Sequence, residues 1–138
     1  MTRLLSLTGL VCLSVCLGCG SGGPRSVLVT GEVRHKGELY LPAQGEQVMI
    51  SFAEEKEGKV SDASYPTRLK PDGTYEVVGP NGKGIPAGKY QVGIESRPEV
   101  PVPGKPVEDK FKGAMKLPKS PISVTVSPEN SKIPLEIP

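Results

Sequence analysis

The chain has 138 residues, a length that suits one small domain. Its 17 basic and 15 acidic residues give a formal net charge of +2, which does not favour binding to nucleic acid or to an anionic surface. Glycine (17) and proline (15) are abundant, aromatic residues make up only 4%, and tryptophan is absent. This composition is typical of many short strands joined by turns, so we expect no long helices.

The first residues have the pattern of an export signal. Arg3 supplies a short positive region, and residues 4–17 form an uncharged, largely apolar run that is too short to span a bilayer comfortably. We therefore expect residues 1–18 to be removed as a signal peptide. The Gly- and Ser-rich residues that follow predict a flexible tether over 19–26.

The end of this run, Gly18-Cys19 followed by Gly and Ser, resembles a bacterial lipobox. In that family of signals the cysteine carries a diacylglycerol and its new amine is acylated, typically with palmitate, which anchors the protein stably. The resemblance implies lipidation at Cys19 and an exported lipoprotein at the outer membrane or cell surface, facing periplasm or exterior. The lipobox usually has Leu where this chain has Cys16, so Cys16 or Cys12 is an alternative modified residue. A plain secretory signal with an incidental cysteine is the other alternative.

Alternation of apolar and polar residues with period two begins after the tether and predicts about seven strands. Seven short strands with turns between them indicate an all-β, antiparallel Greek-key sandwich over residues 27–138. The alternating residues that share one face of each strand are Val27, Val29 and Val33; Val48, Ile50 and Phe52; Tyr75 and Val77; Tyr90, Val92 and Ile94; Ile122, Val124 and Val126; and Ile133, Leu135 and Ile137. A weaker third strand carries Tyr65, Thr67 and Leu69 on one face.

Proline and glycine mark the boundaries of these strands. Pro66 places the third strand at a sheet edge, because proline cannot donate to a ladder of hydrogen bonds. Pro71-Asp72-Gly73 predicts a turn, and the glycine-rich residues 79–88 predict a loop. Six prolines among lysines and glutamates indicate an exposed excursion over residues 97–121. This segment is the candidate for a variable contact surface, and a solvated loop is the alternative.

Four segments resemble the carboxypeptidase regulatory-like, or transthyretin-like, sandwich of small planctomycete lipoproteins. They are residues 29–37 (VTGEVRHKG), 48–52 (VMISF), 69–75 (LKPDGTY) and 85–92 (IPAGKYQV), and the closing residues 120–135 are similar to the family's last strands. The segments are signatures of strands and turns, so the resemblance implies architecture and no catalytic residue. The chain departs from the pattern at residues 39–42 and in the lysine-rich stretch near Phe111.

Few residues offer chemistry. His35 is the single histidine of the sequence, so neither a multi-histidine metal site nor a free choice of catalytic base is available. Glu54, Glu55 and Glu57 alternate with lysines and indicate a solvated hairpin tip more than a calcium site. Residues 79–88 lack the Lys-Ser/Thr ending of a phosphate loop. A covalent cross-link like those of surface adhesins would need Lys36, Glu76 and Asn130 to meet, and none lies at an obviously inward position.

A carbohydrate site would need exposed aromatic side chains as stacking platforms. Phe52, Tyr75 and Tyr90 are predicted to be in the core. Tyr40, Tyr65 and Phe111 remain as candidate binding residues.

These observations predict a membrane-tethered, non-enzymatic β-sandwich lipoprotein that serves as a structural or protein-interaction module of the cell envelope. The alternative is a carbohydrate-binding module. The expected partners are the membrane, through the lipid anchor, and an envelope protein or glycan, with no nucleic acid, metal or cofactor and no catalytic residues. A protein site should present an apolar patch, whereas a glycan site should gather Tyr40, Tyr65 or Phe111 in a groove.

Overall fold

The computed structural model of the protein describes residues 23–138. The predicted signal peptide over 1–18, Cys19, and the first part of the 19–26 tether lie outside the described residues. Residues 23–138 form strands, turns and loops without a helix. The ten strands are β1 (Ser26–Val27), β2 (Val29–His35), β3 (Glu38–Leu39), β4 (Glu46–Lys56), β5 (Lys59–Arg68), β6 (Thr74–Val77), β7 (Ile85–Pro86), β8 (Gly88–Pro98), β9 (Ser123–Val126) and β10 (Leu135–Ile137).

Eight of the strands build two four-stranded sheets that face each other, and β1 pairs with β7 in a separate two-stranded sheet. One sheet has the order β5-β4-β8-β9, with every neighbouring pair antiparallel. In the other four-stranded sheet β2 is central, and β10 pairs with one of its edges. The first half of β2 also pairs with β6, and its second half pairs with β3. The chain passes from one sheet to the other at several of the connections between consecutive strands. As a result, β8 lies beside β4, and β10 lies beside β2.

The predicted fold class, an all-β sandwich, is confirmed. The seven strands of three or more residues fall on the seven segments that alternate in the sequence. One pair differs from the antiparallel expectation, because β10 runs parallel to β2. A parallel neighbour needs a long crossover, and here the whole sandwich separates the two strands in sequence.

Aromatic rings join the two sheets at the centre of the core. Phe52 on β4, Tyr75 on β6 and Tyr90 on β8 are all at most 1% exposed, as the alternation predicted. The centroid of the Phe52 ring lies 6.0 Å from that of Tyr75 and 6.2 Å from that of Tyr90. These tilted and edge-on arrangements are the ones that aromatic quadrupoles favour.

Turns reverse the chain where the sequence places glycine. Lys36-Gly37 and Glu57-Gly58 each have two successive positive φ angles (50° and 81°, 52° and 74°), as the tightest hairpins require. At the predicted turn after Leu69, the Asp72 carboxylate accepts hydrogen bonds from the N–H and hydroxyl of Thr74 at 3.0 and 2.6 Å. The β5 strand that precedes this turn lies at a sheet edge, as Pro66 indicated.

The predicted excursion over residues 97–121 is only partly exposed. The strand β8 continues to Pro98, and Val100, Val102 and Val107 are exposed, but residues 109–120 pack back onto β8. Met115 is 2% exposed, and its carbonyl accepts a hydrogen bond from the N–H of Ile94 at 2.8 Å. The physical reason is that β9 pairs only with residues 88–91, which leaves the rest of that β8 edge for this covering segment, residues 109–120.

The sandwich has two distinct ends. The tether end carries the N-terminal strand β1, the loop over residues 78–84, the β4–β5 turn and the turn after β9. The far end carries the β2–β3 turn and the loops over residues 40–45, 69–73 and 99–108. The eleven residues of β8 run between these ends, a length of about 35 Å.

Candidate binding surfaces

Two of the three candidate binding residues meet at the far end. Tyr40 follows β3, and Phe111 lies in the covering segment; their ring centroids are 6.1 Å apart and the rings are tilted by 57°. Both side chains are half-buried and pack against the edge of the core. The pair therefore presents only part of each ring to solvent.

Asp109 holds Phe111 in this position. Its carboxylate accepts hydrogen bonds from the main-chain N–H groups of Ser96 on β8 (2.8 Å), Phe111 (3.2 Å) and Gly113 (2.8 Å). The N–H of Lys110 donates to the carbonyl of Ser96 at 3.1 Å. The covering segment is thus fixed to the far end of β8 by one side chain and one main-chain bond.

Glu46, the first residue of β4, is the centre of a polar network beside this pair. Its side chain is only 10% exposed. One carboxylate oxygen accepts hydrogen bonds from the Tyr40 hydroxyl (2.6 Å) and the Ser96 hydroxyl, and the other accepts from the Ala43 N–H (2.8 Å). The Lys110 ammonium lies 2.8 Å from the Tyr40 oxygen and 3.5 Å from the carboxylate.

The network shifts the pKa values of its members. Burial acts to raise the pKa of Glu46, but hydrogen bonds from Ser96, Tyr40 and the Ala43 N–H, with the charge of Lys110, bring the pKa below its ordinary value. Burial and the bond to Glu46 raise the pKa of the Tyr40 phenol, and the bond to Tyr40 raises the pKa of Lys110. At neutral pH the cluster is a carboxylate, a neutral phenol and an ammonium, which is a stable arrangement of donors and acceptors.

The sequence contains a signal for this network that is independent of its aromatic residues. Glu46 continues the inward alternation of Val48 and Ile50, and Ser96 continues that of Ile94. A charged residue at an inward strand position needs partners, because an unpaired buried charge is costly. The position of Lys110 depends on the fold of the covering segment, which no period in the sequence indicates.

Tyr65, the third candidate, lies apart from the other two. It pairs with Phe52 on β4, six positions along the strand from Glu46 and about 20 Å away. Its ring packs edge-on against Tyr90 with centroids 6.2 Å apart, and it lines a groove of about 320 Å³ with Pro66, Val78 and Pro80. The structure thus brings Tyr40 and Phe111 together and places Tyr65 in a separate groove.

Two open concavities flank the far end. One, of about 530 Å³, lies between the residues before β4 and the β5–β6 turn, and includes Arg68, Pro71 and Glu99. The other, of about 370 Å³, lies between Glu46 and the start of the covering segment. Both have charged side chains in their walls, and the Tyr40 and Phe111 rings line neither of them.

The remaining candidate residues are in structural positions. The His35 Nδ1 lies 3.2 Å from the carbonyl of Ile137 on the neighbouring strand. The predicted hairpin tip is a turn at Glu57-Gly58, with Glu54 paired to Lys56 at 3.0 Å and Glu55 to Lys89 at 2.9 Å. Among residues 23–138, no group of three or more His, Cys, Asp or Glu side chains is placed to hold a metal ion.

The residues proposed for a covalent cross-link do not meet. Lys36 is in the turn that ends β2 at the far end, whereas Asn130 is in the turn beyond β9 at the tether end. The amide of Asn130 donates to the carbonyl of Thr125 at 2.6 Å, and Glu76 lies 3.7 Å from the ammonium of Lys70.

Large apolar side chains are exposed at both ends of the sandwich. In the part of the chain that the structure describes, two lie at the tether end, Leu28 (44%) and Val78 (43%). The other five lie at the far end: Leu39, Leu41, Val100, Val102 and Val107. Over the same residues, 23–138, there is no helix of the length and apolar character needed to cross a membrane.

Comparison with known proteins gives one structural likeness. No protein-family model matches the sequence, and no curated protein matches it. Among solved structures, a variant of the major pilin subunit of Bacillus cereus aligns with a TM-score of 0.45 and 16% sequence identity. The alignment covers 83% of this chain but only 30% of the pilin chain, so the protein spans less than a third of that pilin's length.

Proposed function

We propose that the protein is a membrane-tethered, non-enzymatic β-sandwich lipoprotein, which acts as a structural or protein-interaction module of the bacterial cell envelope. The anchor in this proposal is a lipid on Cys19, at the outer membrane or cell surface. Its support is the run of apolar residues that ends in Gly18-Cys19 and is followed by Gly and Ser. The first strand begins at Ser26, so six residues separate the modified cysteine from the folded body.

The observation that carries the interaction role is the distribution of exposed apolar side chains. Five of the seven large ones among residues 23–138 are at the end of the sandwich opposite the tether. The most exposed is Val100 at 77%, on a proline-rich loop that follows β8. Exposed apolar groups concentrated on one part of a surface are typical of protein contacts. An anchor at the tether end would hold this far end away from the bilayer, where an envelope protein could reach it.

We also propose that the sandwich is of the carboxypeptidase regulatory-like, or transthyretin-like, kind found in small planctomycete lipoproteins. The support is that the resembling segments coincide with structural units. Residues 29–37 form β2 and its turn, residues 69–75 form the Asp72-Gly73 turn and the start of β6, and residues 85–92 form β7 and the first half of β8.

The anchor is tested by intact mass spectrometry of the protein purified from its native membrane, beside a Cys19→Ala variant. We expect the loss of residues 1–18 and an added lipid mass that is absent from the variant. A Cys16→Ala variant with unchanged lipid mass serves as the control for the alternative cysteine. An unlipidated mass, with the protein in soluble fractions, would overturn the proposal in favour of a freely secreted or periplasmic module.

The interaction role is tested by photo-crosslinking in the native envelope. A photoreactive amino acid replaces Val102 at the far end, and the matched control replaces Lys56, which is 76% exposed on the hairpin tip. We expect a discrete cross-linked species from position 102 and none from position 56. Equal, diffuse cross-linking from both positions would contradict a protein contact at the far end.

The second candidate function is binding of an envelope glycan at the far end, and the observation that favours it is the Tyr40–Phe111 pair. Two rings side by side next to the Lys110 ammonium offer a partial platform and a hydrogen-bond donor. The test is titration with soluble peptidoglycan fragments, followed by tyrosine fluorescence, which the absence of tryptophan makes readable. Binding that Phe111→Leu weakens and Tyr65→Phe does not would favour this function over a purely structural one.

A further inference from the structure

We infer that the tether end of the sandwich is a lipid-contact surface that rests on the bilayer holding the anchor. The inference builds on the proposed lipidation of Cys19 and assigns a partner to a surface that the proposed function leaves without one. The tether-end surface consists of four apolar or aromatic residues and two cations: Leu28, Tyr65, Val78, Pro80, Arg25 and Lys83.

Leu28 and Val78 form the apolar centre of this surface. Val29 and Val77 are register partners with both side chains in the core, so Leu28, just before β2, and Val78, just after β6, point outward and lie side by side. The Gly84 N–H donates to the Val78 carbonyl at 2.7 Å, and a Cβ on Gly84 would lie 2.5 Å from the nitrogen of Leu28. The loop over residues 78–84 is therefore closely fixed against Leu28.

A groove of about 320 Å³ continues the surface from Val78 to β5. It is lined by Tyr65, Pro66, Val78 and Pro80. The Tyr65 ring packs against the Tyr90 ring, and the Tyr65 residue as a whole is half-exposed. A tyrosine in this setting suits the boundary between lipid and water, because its ring is apolar and its hydroxyl is polar.

The charges of the surface complement anionic headgroups. Residues 20–31 and 77–88 contain no aspartate or glutamate, and their charged residues are Arg25 and Lys83, both exposed. Other acids of the tether end lie in its two remaining turns: Glu54 and Glu55 are paired with lysines at 3.0 and 2.9 Å, and Glu57 and Glu129 are exposed. Basic residues next to a membrane are attracted by anionic lipid.

The length of the tether selects lipid as the partner. The Arg25 carbonyl accepts a hydrogen bond from the Ala87 N–H at 3.1 Å, so the chain enters the sandwich at a fixed point beside the loop over residues 78–84. The six residue steps from Cys19 to Arg25 reach at most about 20 Å when fully extended. A bilayer that holds Cys19 is therefore closer to Leu28 and Val78 than it is to the far end of the sandwich. Because the anchor would tether this surface to the bilayer, even a small apolar surface meets lipid at high effective concentration.

The test uses the full-length lipidated protein in vesicles of phosphatidylethanolamine and phosphatidylglycerol. Single cysteines replace Val78 at the tether end or Val100 at the far end and are labelled with an environment-sensitive fluorophore. We expect blue-shifted emission and several-fold stronger quenching by spin-labelled lipid at position 78 than at position 100. A Val78→Asp, Lys83→Glu variant, labelled at a Leu28→Cys position, should lose most of the quenching, whereas Val100→Asp should not.

Each failure has its own signature. Intact mass spectrometry of the same samples reports the lipid on Cys19, and its absence would remove the proposed function together with this inference. A lipidated protein with equal, weak quenching at positions 78 and 100 would overturn the lipid-contact surface and leave the anchor intact. A shielded position 78 that spin-labelled lipid does not quench would assign the surface to a protein or a second copy and would also overturn the inference.

Discussion

The hydroxyl of Tyr75 on β6 donates a hydrogen bond of 2.6 Å to the main-chain carbonyl of Ile133, the buried residue that leads into β10. This bond crosses directly over Gly31 on β2. A Cβ built on Gly31 would lie 2.0 Å from the Ile133 oxygen and 2.8 Å from the Tyr75 ring. The chain that leads into β10 can therefore approach β2 this closely only because residue 31 is a glycine and has no side chain.

A Gly31→Ala substitution is expected to destabilise the sandwich strongly. The new methyl group would meet main-chain oxygen, which cannot rotate away, so β10 would have to shift from β2. Overpacking of this kind costs about 1–3 kcal/mol, and a reduced urea midpoint with an unchanged slope would show it. Gly23→Ala, where a Cβ meets nothing within 4 Å, is the matched control. An alanine at residue 31 with wild-type stability would contradict the close approach.

Tyr75→Phe should lower stability by about 1–2 kcal/mol, because it leaves the buried Ile133 carbonyl without this donor. The same variant should weaken the alkaline dependence of stability. Burial raises the pKa values of both Tyr75 and Tyr90 above their ordinary value. A raised pKa means that the folded state favours the neutral phenol, so its contribution is complete below about pH 10, the unfolded value, and is lost as the pH rises further.

Urea unfolding at about pH 8 and about pH 11 measures this effect. The loss between the two conditions should be smaller in Tyr75→Phe than in the wild type. Tyr65→Phe, which removes a half-exposed phenol, is the control. Identical losses in the wild type and Tyr75→Phe would exclude Tyr75 as a source of the alkaline sensitivity.

Glu46→Gln is expected to reduce both stability and its dependence on acid. The pKa of Glu46 is below its ordinary value, so the stability that its carboxylate contributes is present above about pH 4.3, the unfolded value, and is lost as the pH falls. The glutamine side chain is neutral, so the hydrogen bonds at this position are no longer made to a charged group. This loss should lower the free energy of unfolding by about 1.5–3 kcal/mol at neutral pH. Thermal unfolding from neutral to acid pH, with Glu99→Gln as an exposed control, tests this expectation. A Glu46→Gln protein that loses stability in acid as steeply as the wild type would count against it.

Met115→Ala should destabilise the protein by about 2–4 kcal/mol if the covering segment is part of the core. Met115 is 2% exposed although it lies in a stretch without any alternating pattern. Val107→Ala, at an exposed position on the same connection, should change the free energy of unfolding by less than about 0.5 kcal/mol. If both substitutions were neutral in denaturant unfolding, residues 109–120 would not be packed as described.

The strands were predictable because one face of each sheet is buried and the other is exposed to solvent, which makes apolar and polar residues alternate along the chain. Val48, Ile50 and Phe52 alternate cleanly for this reason, and the turn at Asp72-Gly73 follows from side chains that act within two residues. The covering segment was not predictable, because its contacts with β8 come from irregular chain. Met115 and Leu117 have no period that could distinguish them from the exposed Val100 and Val102.

The candidate sites were predicted in part for a related reason. Composition singled out Tyr40, Tyr65 and Phe111, but only the fold decides which rings become neighbours. The pairing of Tyr40 with Phe111 depends on Asp109, which accepts three main-chain N–H bonds. Glu46 was visible as a charge on an inward position, whereas its partner Lys110 was brought near it by the covering segment.

The parallel pairing of β10 with β2 imposes an order on assembly. A growing chain presents β2 early, yet the edge of β2 that will hold β10 has no partner until more than a hundred further residues have been made. The β4–β5 hairpin can form locally in the meantime, whereas the second sheet must wait for its closing strand. Until then β2 is an open edge, so a chain that has lost residues 135–137 is expected to expose it permanently and to associate through it.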